Sequence, residues 1–407
     1  LNAVTLVYNK CKFDKKFTPL SLSEALNHIN TSSGSGYGYN GKKGLNLIQM
    51  STDLLNYLTG TDFMSIFDAP LTSSYRIQFR KETSGVVLKT RLIYPLPSWI
   101  ILAELMFATP FVEHFKNTDT FYTMGISGKD IGRRIKRKMS KRVKHIIGID
   151  VKSFDQNSPN ELIVAGFLLL RLNLKLTKIQ ALLFEYIIAY FCTSLLVTKI
   201  GKHLFNTHKT HGVPSGSVFT NLVESMYHAV LIAYLCPEEF EKDQVMICGD
   251  DNLIATNKDL KFFEKGYSQF NYTLSLEKCD VFQSSKDLYF LGFRWINYIR
   301  YIDLDLAIHQ CIHHSEFMVE LDIYEREVSR CSSVLLNGIN GSSVFRQLFP
   351  EIIKKIKQNV DVRYYYLQKY SPTILAQSPG KQETLKNNKI LINDSLTNAL
   401  ESGYLDR

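Results

Sequence analysis

The sequence predicts an α+β fold organised around one short antiparallel hairpin, and three observations carry that reading. Residues 244–256 read Gln-Val-Met-Ile-Cys-Gly-Asp-Asp-Asn-Leu-Ile-Ala-Thr. Two apolar runs, Val245–Cys248 and Leu253–Ala255, flank a Gly-Asp-Asp-Asn tip, the pattern of a β-hairpin. A second apolar strand, His145–Val151, ends at Asp150. Long segments elsewhere, at 98–115, from about Val218 to Leu235 and beyond 305, carry helical spacing instead.

The bulk numbers set the frame. A chain of 407 residues with 45% hydrophobic and 21% charged residues is ample for a large core, and its length favours two or three domains or subdomains. A net charge of +9 favours a polyanionic partner such as nucleic acid. Seven cysteines, an odd number without dense spacing, argue against a secreted disulfide scaffold and for a reducing compartment. A chain that opens on Leu1 reads as a fragment or a processed product. The most apolar stretch, Leu162–Val197, is broken by Arg171, Lys175, Lys178 and Glu185, so it reads as one or two buried helices and not as a membrane span.

In chain order, Ala3–Tyr8 has strand character, and Ser21-Leu-Ser-Glu24 has the form of a capping box that starts a helix. Residues 31–44 form a Gly/Ser-rich loop with two tyrosines and two lysines. A flexible connector is preferred there to a nucleic-acid contact. Residues 76–97 read as two strands around Thr83–Gly85. Lys89 and Arg91 lie two apart and so point to one face, a cradle suited to a triphosphate. On these residues alone a solvated strand face is the plainer reading. Ser98–Phe115 reads as an amphipathic helix.

The densest basic run is residues 133–144, with Arg133, Arg134, Lys136, Arg137, Lys138, Lys141 and Arg142. Ile135, Met139 and Val143 fall four apart, so a helix buries that line and turns its cations outward. Contact with a phosphate backbone is preferred to a localisation patch or a merely solvated face. Downstream, Gly212-Val-Pro-Ser-Gly216 is a loop before a helix on which Thr220, Glu224 and His228 share one face. Ser215 and Gly216 precede the helix N-terminus, where free N–H groups can hold a phosphate or a sugar hydroxyl. Asp259–Phe270 reads as a surface helix, Lys278-Cys279 as the start of a strand, and Tyr289–Trp295 as a hairpin. Ser315–Leu336 and Ser343–Val360 read as helices. His309, Cys311, His313 and His314 lack a second ligand pair at zinc spacing.

The acids carry the chemistry. Asp250 and Asp251 are adjacent like charges at a turn with apolar flanks, and each raises the other's pKa unless a cation neutralises them. Oxygen-only ligands suit Mg²⁺ or Mn²⁺. With Asp150 beside that tip they make a minimal two-metal set, in which two ions about 3.5–4 Å apart serve an in-line phosphoryl displacement.

Asp150-x-x-x-x-Asp155, Ser215-Gly216-x-x-x-Thr220 and Gly249-Asp250-Asp251, in that order, resemble motifs A, B and C of viral RNA-dependent RNA polymerases. Lys89-Thr-Arg91-Leu-Ile-Tyr-Pro is similar to motif F, Lys278-Cys279 to motif D and Phe290-Leu291-Gly292 to motif E. The wording Gly212-Val-Pro-Ser-Gly-Ser-Val-Phe-Thr-Asn-Leu-Val-Glu224 resembles the partitivirus form most closely, with picobirnaviruses next. The resemblance implies a right hand of mostly helical fingers and thumb around a palm with an antiparallel sheet. It places fingers at 1–144, palm at 145–160, a fingers insertion at 161–205, palm again at 206–300 and thumb at 301–407.

It further implies template-directed NMP transfer from NTP with two Mg²⁺ (or Mn²⁺) ions, serving replication and transcription of a double-stranded RNA virus. The partners are RNA template, nascent RNA, NTPs and capsid protein, with no membrane, in the virion interior or host cytoplasm. By position, Asp150, Asp250 and Asp251 would hold the metals, and Lys278 would be the general acid for departing pyrophosphate. Asp155 would sense the ribose hydroxyls, and Ser215, Gly216, Thr220 and Asn221 would hold the nascent pair and sugar. Lys89 and Arg91 would grip the triphosphate. One departure stands out. Glu224 occupies the position where many plus-strand virus polymerases carry Asn, and two ionised carboxylates at 155 and 224 cannot pair without a shared proton or a bridging cation. A reverse-transcriptase-like palm enzyme, or an inactive polymerase-like RNA-binding protein, are the alternatives.

Overall fold

The computed structural model of the protein describes residues 2–31, 33–59, 69–82, 85–140, 142–200, 203–303 and Leu306. Two compact units emerge: Leu1–Tyr75, Leu92–Met124 and Arg133–Leu291 in one, and Arg76–Arg91, Gly125–Gly132 and the chain from Gly292 in the other. The helices expected at 315–336 and 343–360, and the His/Cys cluster at 309–314, lie outside the described residues.

The chain opens with three helices, α1 (Asn2–Cys11), α2 (Leu22–Leu26) and α3 (Leu47–Thr59). The strand character expected for Ala3–Tyr8 is overturned. Val7 and Cys11 fall four apart and are both fully buried, and α1 packs on a later helix, so tertiary packing outweighs the β-branched local preference. The capping box does form: Ser21 Oγ accepts the Glu24 N–H, and Glu24 accepts the Ser21 N–H at 2.7 Å. The Gly/Ser-rich loop is no loose connector. Ser35 is buried, its hydroxyl donates to the Gly41 carbonyl, and the Ser98 hydroxyl donates to its carbonyl at 2.5 Å.

Strands β1 (Leu71–Thr72), β2 (Ser74–Glu82) and β3 (Gly85–Ile93) follow, the last two forming the expected two-stranded sheet. Helix α4 (Ser98–Asn117) is buried on nearly all sides rather than amphipathic, from Ser98 through Thr109 without a break. Helix α5 (Gly128–Met139) carries part of the basic run but stops before Val143. Its cations are not all turned outward. Arg134 and Lys138 are buried. Arg134 donates to the Tyr122 and Thr118 carbonyls at 2.9 and 2.7 Å, and Lys138 pairs with Asp243 and, at 3.5 Å, Asp119. Arg137 bridges the same two acids. The exposed cations of the run are therefore Arg133, Lys136, Arg137, Arg142 and Lys144, while Lys141 lies outside the described residues.

The remaining elements are β4 (His145–Gly148), α6 (Phe154–Asn157), α7 (Asn160–Arg171), α8 (Lys178–Thr193), β5 (Leu195–Ile200), β6 (His203–His208), α9 (Thr220–Leu235), α10 (Pro237–Glu241), β7 (Val245–Cys248), β8 (Asp251–Thr256), α11 (Leu260–Ser268), β9 (Asp280–Phe282), β10 (Asp287–Phe290), β11 (Phe293–Ile296) and β12 (Ile299–Tyr301). The apolar stretch from Leu162 thus becomes two helices and a strand, and β5 pairs with β1 and β6. Among the described residues no helix is long and apolar enough to cross a membrane.

The sheet that matters most runs β7-β8-β4-β9, antiparallel throughout. Strand β8 is buried from Asn252 to Thr256 and exposed only at Asp251. Helix α9 packs on β7, and its Leu222, Val223, Met226 and Ala229 are all essentially inaccessible. Burying so many aliphatic side chains at roughly 1.5–3 kcal/mol each makes this sheet–helix layer the rigid base on which the acids stand.

Candidate active site

The pairing of β4 with β8 brings the acids together from a hundred residues apart. Ile147 lies opposite Ile254 in an antiparallel register, so continuing past the strand ends sets Asp150 level with Asp251. Asn252 staples the two segments: its Oδ1 accepts the Ile149 N–H at 3.3 Å, and its Nδ2 donates to the carbonyls of Ile149 (2.9 Å) and Asp250 (3.1 Å). The sequence reading left this residue unassigned, although it is the last letter of the Gly-Asp-Asp-Asn tip. On the other side of β4, the Asp150 N–H donates to Cys279 Sγ at 3.3 Å, and the Ser275 N–H donates to the Asp150 carbonyl at 2.8 Å. Lys278 is exposed on this turn, which its own N–H closes onto the Ser275 carbonyl. Asp280 lies opposite Gly148 on β9, and its carboxyl is pushed up by partial burial and then by the charge of Asp150.

The turn carrying Asp250 is held from below by one face of α9. Gly249 adopts a left-handed φ of +66°, and a Cβ there would stand 2.9 Å from Asn221 Nδ2 and 3.1 Å from Glu224 Oε2. The left-handed φ favours glycine, and any side chain there must also displace the ends of Asn221 and Glu224. Its N–H donates to Ser225 Oγ at 2.8 Å, and its carbonyl lies 2.8 Å from His228 Nδ1. A carbonyl only accepts, so Nδ1 bears the hydrogen and Nε2 accepts from the Tyr267 hydroxyl at 2.7 Å. Burial pulls the His228 pKa down to about 4, against the carbonyl bond, and the ring is neutral.

Glu224 is 7% exposed, and its Oε1 has no hydrogen-bond partner among the described residues. Burial, then the charges of Asp250 and Asp155, hold its carboxyl well above the ordinary range. Burial and those two charges disfavour ionisation of Glu224, which eases the clash foreseen between two ionised carboxylates at 155 and 224. Asp155 lies in the first turn of α6, half-buried, with its own carboxylate accepting the Gln156 N–H at 3.0 Å.

The loop before α9 is fastened at several points. Gly212 and Val213 N–H groups donate to the carbonyls of Ser158 (2.7 Å) and Asp155 (2.8 Å). The Tyr94 N–H donates to Ser215 Oγ at 3.1 Å, and Thr220 Oγ1 donates to the Pro214 carbonyl at 2.6 Å. Ser215 and Gly216 are exposed, and Thr220 and Asn221 are half-buried. Two of the N–H groups just before α9 are already engaged: Val218 N–H goes to Glu104 Oε2 at 2.8 Å and Phe219 N–H to Ser217 Oγ at 3.0 Å. Lys89 and Arg91 lie on β3 of the second unit, Arg91 exposed and Lys89 half-buried.

Three carboxylates at one sheet end are the donor chemistry of a hard divalent cation, so the residues fit Mg²⁺ or Mn²⁺. Among the described residues no three His, Cys, Asp or Glu side chains already converge to hold an ion.

The viral RNA-dependent RNA polymerase family matches residues 1–301. No curated protein matches the chain. Among solved structures, the RNA-dependent RNA polymerase of a human picobirnavirus is similar with a TM-score of 0.71 and 16% identity, over 91% of this chain and 74% of that one. An insertion-loop deletion mutant of the RNA-dependent RNA polymerase of a human picobirnavirus gives 0.68 and 16%, over 98% and 78%. The sicinivirus 3Dpol RNA-dependent RNA polymerase gives 0.67 and 15%, over 90% and 84%.

Proposed function

The chain belongs to the viral RNA-dependent RNA polymerases, an RNA-directed RNA polymerase with the α+β right-hand fold, and from that premise we propose how its own residues divide the work. Family membership decides against the reverse transcriptase alternative. The observation that carries the proposal is the β4–β8 register, stapled by Asn252, which gathers Asp150, Asp250 and Asp251 at one sheet end.

Asp150, Asp250 and Asp251 hold the divalent ions. Two bound Mg²⁺ or Mn²⁺ ions supply Lewis acidity at the attacking and leaving oxygens. Asp250 is aimed by the turn that α9 clamps, so its position is fixed by the core rather than by solvent-exposed contacts. Asp155 reads the sugar hydroxyls. Glu224, whose ionisation burial disfavours, would in its protonated form present both an O–H and a C=O, the pair of functions an amide supplies. Ser215, Gly216, Thr220 and Asn221 hold the nascent pair, and Lys89 and Arg91 keep the triphosphate role that the motif resemblance gives them. Lys278, on the turn tied to the Asp150 carbonyl through Ser275, donates the proton to departing pyrophosphate. Arg133, Lys136 and Arg142 meet the RNA backbone, whereas Arg134 and Lys138, with Arg137 bridging the same two acids, hold the protein together.

The biological setting we infer is replication and transcription of a double-stranded RNA virus, with capsid protein as a partner, within the virion or the host cytoplasm. The partitivirus or picobirnavirus kinship of motif B supports it. The deciding experiment is Asp250→Asn. Template-dependent NMP incorporation is expected to fall by at least about 10³-fold with RNA affinity nearly intact. Retained synthesis would refute the metal-binding role.

A further inference from the structure

We propose that Glu104, in the middle of α4, is a positioning residue that sets the conformation of the loop Ser215–Phe219 and so the affinity for the incoming nucleotide. This rests on the nucleotide-holding role given to that loop above.

Glu104 is 1% exposed, on a helix whose neighbouring Leu102, Ala103, Phe107 and Ala108 are sealed in the core. A carboxylate in such a place is unfavourable unless its oxygens are engaged, and a hydrocarbon would fill the same volume with less penalty. Both oxygens are engaged by the loop. Ser217 Oγ donates to Oε1 at 2.7 Å and the Val218 N–H donates to Oε2 at 2.8 Å, across more than a hundred residues of chain. Ser217 Oγ then accepts the Phe219 N–H at 3.0 Å, so one carboxyl organises three consecutive residues. The flanks of the loop are fastened separately, by Asp155 and Ser158 on one side and by the Thr220–Pro214 bond on the other. Gly216 lies between them with the Tyr94 carbonyl in the place of any Cβ, so the exposed tip cannot move without releasing that contact. The middle of the loop therefore takes its shape from α4.

Burial pushes the Glu104 carboxyl up to about 7, with the Ser217 and Val218 bonds opposing it. The ionised form that accepts both donors is thus not the form that burial alone favours.

The test uses the full chain with Glu104→Met and Glu104→Gln at pH 8. Methionine fills the site but accepts neither donor. Glutamine restores them in another way, with its carbonyl facing the Val218 N–H and its amide donating to Ser217 Oγ. Single-nucleotide incorporation should show the NTP KM raised tenfold or more in Glu104→Met, kcat changed less than threefold, RNA affinity unchanged and Tm no lower than in the wild type, and most of the KM recovered in Glu104→Gln. Hydrogen exchange of the 215–219 amides, which needs no turnover, should be at least tenfold faster in the Met variant and near wild type in the Gln variant. A Met variant with wild-type KM and exchange overturns the proposal. So does a Met variant whose lost activity tracks a lowered Tm and which Gln fails to rescue. If the wild type itself proves inactive while the exchange pattern holds, the functional reading fails and the control of the loop by Glu104 stands.

Discussion

Two backbone segments flank Asp155 and Asp250, and they are held in opposite ways. The Gly249–Asp250 turn is gripped by four residues of a single helix, Asn221, Glu224, Ser225 and His228, all on the face of α9 beneath it. The loop 212–219 is held by pieces from distant parts of the chain: Tyr94 and Glu104 before it, Asp155 and Ser158 beside it. One grip is part of the core and shares its rigidity. The other is assembled from single hydrogen bonds, each worth about 0.5–1.5 kcal/mol net, and can rearrange one bond at a time. A turn that aims metal-binding acids needs the first kind, and a loop that admits and releases nucleotides needs the second.

Gly249→Ala attacks the rigid grip directly and should have the largest effect. An alanine must hold φ near +66°, which costs about 1–2 kcal/mol, and must displace Asn221 Nδ2 or Glu224 Oε2. A displacement of about 1 Å at Asp250 costs roughly 10²-fold in turnover. Incorporation rates measured on folded variant check this, and an active Gly249→Ala enzyme would mean that the turn is as adaptable as the loop.

The pH dependence of stability separates the two grips by sign. His228, under the turn, has a pKa lowered from 6.5 to about 4, so its contribution is whole above pH 6.5 and is lost as pH falls toward 4. Glu104, behind the loop, has a pKa raised from 4.5 to about 7, so its contribution is whole below pH 4.5 and is lost as pH rises through 7. Each is worth up to about 3 kcal/mol, and between those limits they oppose one another. Relative to wild type, Glu104→Gln should gain stability as pH rises from 4.5 to 8, and His228→Gln should gain it as pH falls from 6.5 to 4. Denaturant titrations across that range measure both, and slopes of the same sign would remove the distinction.

How far each grip was legible in the sequence follows from the same contrast. The spacing of Thr220, Glu224 and His228 marks one helical face, and the Gly-Asp-Asp-Asn tip marks the turn, so local periodicity reached the clamp and the acids. It did not reach Asn252 as a staple, because an Asn beside two aspartates looks like part of the turn. Glu104 was invisible: one acid within an apolar helical run reads as its solvent-facing edge, and only the packing of α4 on all sides shows that such an edge is lacking. The basic run misled for a related reason. Counting cations says nothing of Asp119 and Asp243, which draw Arg134, Arg137 and Lys138 into an ion-paired cluster. Ala3–Tyr8 went wrong because β-branched residues carry a weak local preference that the packing of α1 overrides.

The finest separation of the two grips comes from two serines. Ser225 Oγ accepts the Gly249 N–H and donates to the Asn221 carbonyl at 2.7 Å, inside the clamp. Ser217 Oγ joins Glu104 to the Phe219 N–H, inside the loop. Ser225→Ala frees a buried N–H next to Asp250 and touches the nucleotide-holding set only at Asn221, so it should lower kcat severalfold with a smaller change in NTP KM. Ser217→Ala loosens the loop and leaves the acids in place, so it should raise NTP KM severalfold with little change in kcat, each effect on the order of 1 kcal/mol. Steady-state incorporation at varied NTP gives both numbers. If the two alanines shift the same parameter, loop and turn move as one body, and the fastening of the loop by α4 is part of the clamp rather than a separate control on nucleotide affinity.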